Sequence, residues 1–119
     1  MMDNTVTLDQ SVNPPAIKTS PVFNVAVPFI DRHLSEGRGD KVVYYTADGN
    51  VTFADLAEQV NRSGNVFTSL GAQPGDRILM VVKDCPEFLY LFFGAIKAGY
   101  VPVPVNTMFA AGDYTYLIE

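Results

Sequence analysis

Apolar and polar positions divide this chain into blocks of different period, the clearest being residues 71–106 (GAQPGDRILMVVKDCPEFLYLFFGAIKAGYVPVPVN). Its order is turn, apolar strand, apolar helix, glycine stop and second strand, the repeating unit of an α/β sheet. Within Gln73-Pro74-Gly75-Asp76, the proline pre-sets a turn and the glycine supplies φ > 0. Residues 78–82 form a continuous apolar run between Arg77 and Lys83, the pattern of a strand covered on both faces. Residues 84–87 (DCPE) open a helix: Pro86 fits the first helical position and Glu87 complements the positive end of the dipole. Residues 88–96 are apolar around the whole circumference, which predicts burial on more than one side. Gly99 is a left-handed stop. Val101, Val103 and Val105 then share one face of an extended segment, with Pro102 and Pro104 on the other. Proline donates no ladder hydrogen bond, so this strand is short or lies at an edge.

Upstream the period changes. Residues 1–20 are polar, contain Pro14-Pro15 and follow neither period, and they read as an extended or disordered leader. Val22 and Phe23 make a short anchoring segment. Val25, Phe29, Ile30, His33 and Leu34 fall on one helical face, with Asn24 as N-cap. Pro28 would remove a ladder bond inside that helix, so the alternative is a regular helix that begins at Pro28 itself. Residues 36–40 (EGRGD) are a loop, and residues 41–46 (KVVYYT) a β-branched and aromatic strand. Asp48-Gly49 signals a two-residue hairpin that turns residues 50–52 back antiparallel. Thr52 is then the N-cap of a long helix, with Asp55 in a capping-box position. Phe53, Leu56, Val60, Phe67 and Leu70 form its apolar stripe, and Gly71 ends it. Ser63-Gly64 lies where the stripe passes and allows a neighbour to approach closely. After the central block, residues 106–110 are a loop, and a last helix starts at Ala111 with Tyr114, Leu117 and Ile118 toward the core. The sequence stops inside that helix on apolar residues, so it reads as a piece of something longer. There is no internal repeat and no second domain.

Composition narrows the class. At 119 residues, with 48% hydrophobic and 18% charged positions, the chain is long enough for one domain with a core. Eight Lys+Arg against thirteen Asp+Glu give a net charge of -5, which disfavours nucleic acid or an anionic membrane as partner. A single cysteine, Cys85, excludes an internal disulfide and fits a reducing cytosol. The start, MMDNTVTLDQ, has neither a basic nor an apolar signal region, and the apolar run 88–96 is about half the ~20 residues a membrane span needs. The expected location is cytoplasmic.

Candidate chemistry is sparse. No glycine-rich loop ends in Gly-Lys-Ser/Thr, and no GxGxxG follows a strand; Gly37-Arg38-Gly39 is too short and precedes a strand. His33 is the sole histidine, so a histidine-rich metal site or a Ser-His-Asp triad would need groups from elsewhere; it reads as a packed or rim histidine. Cys85 sits at a helix start, where the dipole lowers a thiol pKa, but has no histidine or second cysteine beside it and reads as a small helix-entry residue. Asn50-Val51-Thr52 and Asn61-Arg62-Ser63 match the glycosylation pattern without a secretory signal, and Arg38-Gly39-Asp40 has no extracellular context. Asp76-Arg77 reads as structural, forming an ion pair or tethering a loop, and the aromatic residues, Tyr100 included, read as core.

Gly71-Ala-Gln-Pro-Gly-Asp-Arg-Ile, then Cys-Pro-Glu-Phe and Phe-Gly-Ala-Ile-Lys-Ala-Gly-Tyr-Val-Pro-Val-Pro-Val-Asn, resembles the N-terminal region of adenylate-forming enzymes. That superfamily holds acyl- and aryl-CoA synthetases, luciferases and peptide-synthetase adenylation domains. Asn24-Val-Ala-Val-Pro-Phe-Ile-Asp-Arg-His-Leu and the tail from Val105 look most like benzoate-CoA ligases. The resemblance implies an α/β fold: the N-terminal part of the large domain, a β-hairpin and mostly buried strands alternating with helices. It covers residues 21–119, a portion of an AMP-binding domain expected to be truncated at its C-terminal end, with residues 1–20 as leader.

For the longer parent, the resemblance implies an ATP-dependent ligase joining an aromatic acid, benzoate or a hydroxybenzoate, to coenzyme A through an acyl-adenylate, with ATP, Mg and CoA as cofactors. The family's Ser/Thr/Gly-rich phosphate loop and the lysine of its mobile C-terminal domain lie downstream of the matched stretch. No catalytic, cofactor-binding or metal residue is therefore carried onto this sequence. The stretch itself is expected to be inactive scaffold with no cofactor bound, its partner the remainder of the same polypeptide. Met108 stands where some relatives carry a basic residue near the CoA phosphates, which puts that contact in doubt. Two alternatives stand beside this reading: a free-standing partner-binding α/β module docking through its 114–118 face, or the same superfamily acting on a fatty or amino acid.

Overall fold

The structure is a computed structural model that describes residues 4–119. Two helices form its centre. Helix α2 (Phe53–Ser69) starts where expected: the Thr52 hydroxyl accepts from the Asp55 N–H at 3.2 Å, and the Asp55 carboxylate accepts from the Thr52 N–H at 2.9 Å. This closed capping box satisfies two N–H groups that the first turn leaves unpaired. The Thr52 hydroxyl, which donates to the Asp55 carboxylate at 2.7 Å, and then the Thr52 N–H hold the Asp55 carboxyl below its ordinary pKa. Gly71, at φ +91°, takes the left-handed position after the last turn. Helix α3 (Pro86–Ala98) runs from Cys85 to a left-handed Gly99, also as the sequence predicts.

The two helices cross at glycines. A Cβ placed on Gly94 would stand 2.7 Å from the Ser63 Cβ and 2.9 Å from the Val60 carbonyl oxygen, and one on Gly64 would stand 3.0 Å from the Gly94 carbonyl oxygen. The Ser63-Gly64 reading therefore holds, with Gly94 as its partner across the interface. Around this crossing lies the core: Ile30, Leu56, Ala57 and Val60, flanked by Val43, Val51, Phe53, Leu89, Tyr90 and Phe93.

Among the described residues, three two-stranded sheets accompany the helices. Strands β1 (Val6–Asp9) and β2 (Ala16–Thr19) pair antiparallel as a hairpin. Its strands are mostly exposed: Val6 and Leu8 alternate with polar neighbours in β1, but both stay exposed and mark no core face. Strands β3 (Val42–Thr46) and β4 (Gly49–Thr52) form the expected hairpin. Its tight turn is Ala47-Asp48, one residue earlier than Asp48-Gly49, because Gly49 at φ +135° already pairs with Thr46. Val43 is an extra residue in the register, a bulge that the sequence did not signal.

Strands β5 (Arg77–Met80) and β6 (Val101–Pro104) are parallel, Arg77 opposite Val101 and Met80 opposite Pro104. The run 78–82 is thus shorter as a strand than its apolar pattern predicts. Nor is it covered on both faces within the described residues: Val81 is 49% exposed, because the ladder ends where the Val105 N–H reaches the Met80 carbonyl.

The first helical segment begins at Ala26, with the Asn24 side-chain oxygen accepting from the Ala26 N–H at 3.1 Å, so the reading with Asn24 at the start prevails over a start at Pro28. Pro28 is absorbed in a wide π-helical turn, Val27–Asp31, before the short helix α1 (Arg32–Ser35). Helix α4 (Ala111–Ile118) corrects another expectation. Leu117 and Ile118 are 42% and 74% exposed rather than turned to a core. The Tyr114 hydroxyl is spent on the Asn106 carbonyl at 2.8 Å. Helix α3 is likewise only half-covered along residues 88–93, since α2 packs on one side and β6 on another.

Candidate functional site

In α/β folds, ligands collect at the carboxyl ends of parallel strands, where helix N-termini face the bound anion. The equivalent place here is the turn from Met80 through Cys85 into α3. Its chemistry does not favour an anion. Pro86 has no N–H to offer, and the Glu87 carboxylate takes a bond from its own backbone N–H and one from Cys85, which hold its pKa below the ordinary carboxylate value. Cys85 stands at the entry of α3 without a side-chain capping bond; its Sγ–H donates to the Lys83 carbonyl at 3.2 Å, outside the helix.

The adjoining groove of about 510 Å³ is lined by Tyr44, Tyr45, Thr46, Asp84, Cys85 and Phe88. Burial pushes the Tyr44 phenol above its ordinary pKa, with Cys85 and Asp84 adding to the shift, so that wall stays neutral and no cation lines it.

A larger groove, about 1000 Å³, lies between the N-terminal hairpin, the π turn and the end of α3. Its two cations are Arg32, 3.9 Å from the Glu36 carboxylate, and Lys97, whose ammonium sits 2.7 Å from the Asp31 carboxylate. Beside it the Asn24 side-chain amide donates to the Ile96 carbonyl at 2.9 Å, at the C-terminal end of α3. These contacts join positions 66 and 72 residues apart, and nothing in the local sequence announced them. They clasp the first helical segment to α3.

His33 is a rim histidine. Its ring stacks on Phe53 at a centroid distance of 3.9 Å, and Nδ1 accepts from the Arg38 guanidinium at 3.0 Å. Arg38 also pairs with Glu36. Loss of hydration, then the charges of Arg38 and Arg32, holds the His33 pKa below its ordinary value, while Glu36 pulls the other way. The folded chain thus binds a proton here less readily than the unfolded chain. Stability contributed at this site is complete above the unfolded value of about 6.5 and declines as pH falls through the window down to the lowered folded value. We expect the melting temperature to decline across that window, and His33→Gln to abolish the decline. A proton-NMR titration of the single imidazole at or above the ordinary value would refute this.

The remaining candidates stay apart. Arg38-Gly39-Asp40 lies in the loop before β3, Asn50-Val51-Thr52 is in β4 and its capping box, and Asn61-Arg62-Ser63 is inside α2. Asp76 and Arg77 do not form an ion pair: the Asp76 carboxylate accepts from the Gln73 N–H at 2.8 Å, tightening the turn. Tyr100 is buried, its hydroxyl 2.8 Å from the Thr68 hydroxyl. Met108 is exposed. Among the described residues no group of three or more His, Cys, Asp or Glu side chains could hold a metal ion, and no helix is long and apolar enough to cross a membrane.

The crossing of α2 and α3, the strand–helix–strand unit and the Gly99 stop are parts of an α/β fold. The chain belongs to the AMP-binding enzyme family, whose pattern matches residues 31–119. It is similar to the benzoate–CoA ligase of Thauera aromatica, with 45% identity over 111 residues, covering 92% of this chain and 21% of that one. The 4-hydroxybenzoate–CoA/benzoate–CoA ligase of Rhodopseudomonas palustris is 41% identical over 97 residues, covering 82% and 18%. The crystal structure of a benzoate CoA ligase from Burkholderia xenovorans LB400 superposes with a TM-score of 0.74 at 36% identity, over 82% of this chain and 19% of the other. The chain spans about a fifth of the length of the curated relatives it matches.

Proposed function

We propose that residues 21–119 are the N-terminal scaffold of a ligase that joins an aromatic carboxylic acid, benzoate or a hydroxybenzoate, to coenzyme A. The carrying observation is the 45% identity to a benzoate–CoA ligase over nearly the whole chain. In the complete enzyme the carboxylate attacks the α-phosphate of ATP and releases pyrophosphate. The CoA thiol then displaces AMP from the acyl-adenylate.

This chain's own residues hold the fold for that chemistry and take no step in it. Three observations support the scaffold role: Lys97 is neutralised by Asp31, the start of α3 is closed by Pro86 and Glu87, and the larger groove is walled by the Asn24 clasp. Magnesium and the nucleotide would be held by residues outside this stretch, and its partner is the remainder of the polypeptide.

Acid-dependent ATP–pyrophosphate exchange tests the reading. The 119-residue chain alone is expected to give none, and the product of the whole reading frame to exchange with benzoate or 4-hydroxybenzoate. Turnover by the 119-residue chain would remove the scaffold role. A whole product that exchanges only with fatty or amino acids would remove the aromatic assignment. A stop codon directly after Glu119 would remove the ligase altogether.

A further inference from the structure

The tip of the β3–β4 hairpin brings a free carboxylate next to an unhindered backbone nitrogen. Among the aspartates, Asp48 alone is followed by glycine, and no asparagine is. A glycine nitrogen, with no side chain beside it, meets the least hindrance when it attacks the carboxyl of the preceding residue. At Gly49 the space where a Cβ would stand is open, with nothing within 4 Å. The Asp48 side chain is exposed and bonded by no described group. Other aspartates are held. Asp31 pairs with Lys97, and the carboxylates of Asp55, Asp76 and Asp113 accept from the N–H groups of Thr52, Gln73 and Ala110. Asp40 and Asp84 precede Lys41 and Cys85, whose side chains hinder the same attack.

We propose that Asp48 is a site of isoaspartate formation, gated by the hydroxyl of Thr46. The Gly49 amide nitrogen attacks Cγ of the protonated Asp48 carboxyl. An N–Cγ bond forms, a Cγ–O bond breaks, and the amide proton leaves with the hydroxyl as water. Water then opens the succinimide. Cleavage of the N–Cγ bond restores aspartate. Cleavage between the nitrogen and the Asp48 carbonyl carbon leaves the main chain running through Cγ. Nothing is oxidised or reduced, and the mass is unchanged. The attack requires rotation about the Asp48 Cα–C bond, so the turn has to open. Thr46 opposes that opening: its hydroxyl donates to the Gly49 carbonyl at 2.7 Å and accepts from the Asp48 N–H at 3.2 Å. Thr46 and Gly49 are also the last pair of the ladder, where local opening costs least. Once formed, isoaspartate adds a methylene to the main chain of the turn, and that pair cannot close in its present register. None of this depends on the ligase reading, and its failure would leave that reading untouched.

Prolonged incubation of the product of the whole reading frame at neutral pH, followed by trypsin digestion, tests this. Cleavage after Lys41 and Arg62 yields residues 42–62, and electron-transfer fragmentation tells isoaspartate from aspartate at position 48. Asp55, in the same peptide and followed by Leu56, is the internal control. Isoaspartate should accumulate at position 48 and not at 55, and more slowly in the folded protein than in urea. Thr46→Val removes both hydroxyl bonds and should speed the conversion about fivefold, the gain in open population when a hydrogen bond of ordinary strength is lost. Thr46→Ser keeps the hydroxyl and should convert at the parent rate. Conversion in urea with none in the folded protein overturns the site, because the turn or a cover over it then stays shut. A folded Thr46→Val protein no faster than the parent overturns the gate. Should that variant unfold, the parent itself decides, since a folded parent converting as fast as in urea also overturns the gate.

Discussion

Gly94→Ala is expected to destabilise the chain by about 2 kcal/mol, although alanine is the better helix former. Two effects oppose each other. Alanine in a helix interior is favoured over glycine by about 1 kcal/mol. Against that, its methyl would stand 2.7 Å from the Ser63 Cβ, 2.9 Å from the Val60 oxygen and 3.0 Å from the Gly64 nitrogen. Two of those three atoms are backbone of α2, so no rotamer change relieves the contact and the helices must separate. Overpacking of this kind costs about 1–3 kcal/mol and sometimes more, so the clash wins. Gly64→Ala meets only one backbone oxygen at 3.0 Å and the Ala98 methyl at 3.2 Å, and should cost less. Gly112→Ala meets nothing within 4 Å and should raise stability by up to about 1 kcal/mol. Thermal melts of the three variants check the ranking, with a drop of about 10 °C for Gly94→Ala. A Gly94→Ala chain melting at or above the parent would mean that α2 and α3 do not cross so closely.

That crossing also shows how far the sequence could be read. Ser63-Gly64 marked one side of it, because a break in an otherwise apolar stripe is a local signal. Gly94 was hidden in a run so apolar that only general burial could be read from it. Local devices were legible throughout: the Thr52–Asp55 capping box, the left-handed Gly71 and Gly99, and the prolines that keep β6 short. Features set by distant partners were not. The bulge at Val43 depends on the register with β4, and the paired Asp31 and Lys97 are far apart in the chain. Helix α4 was misread for the converse reason: apolar residues predict a cover, and among the described residues nothing lies over Leu117 and Ile118. The candidate site was legible mainly through motifs that the sequence does not contain. The electrostatic closure of Lys97 and of the α3 start came only with the coordinates.

The clasp of the first helical segment separates apolar from ionic contributions. Ile30 is 1% exposed and meets Leu56, Ala57 and Val60 at the point where the π turn, α2 and α3 converge. Ile30→Ala removes three carbon atoms from that position and leaves a space among these side chains. Such truncations cost about 2–5 kcal/mol, and about 3 is expected here. The neighbouring ion pair is different in kind. Asp31 and Lys97 are each about a third exposed, so water and salt screen the 2.7 Å contact, and Asp31→Asn should cost no more than about 1 kcal/mol. Phe29 is 60% exposed and makes one offset ring contact with Phe93, so Phe29→Ala should fall between them. Urea titrations of the three variants give the order directly, and added salt should narrow only the Asp31→Asn difference. If Asp31→Asn proved costlier than Ile30→Ala, the segment would be held chiefly by charge, and the apolar face read from Val25, Phe29, Ile30, His33 and Leu34 would not be what docks it. If Ile30→Ala dominates, burial of one side chain fixes the helix, and the Asn24 and Lys97 bonds serve to set its register on α3.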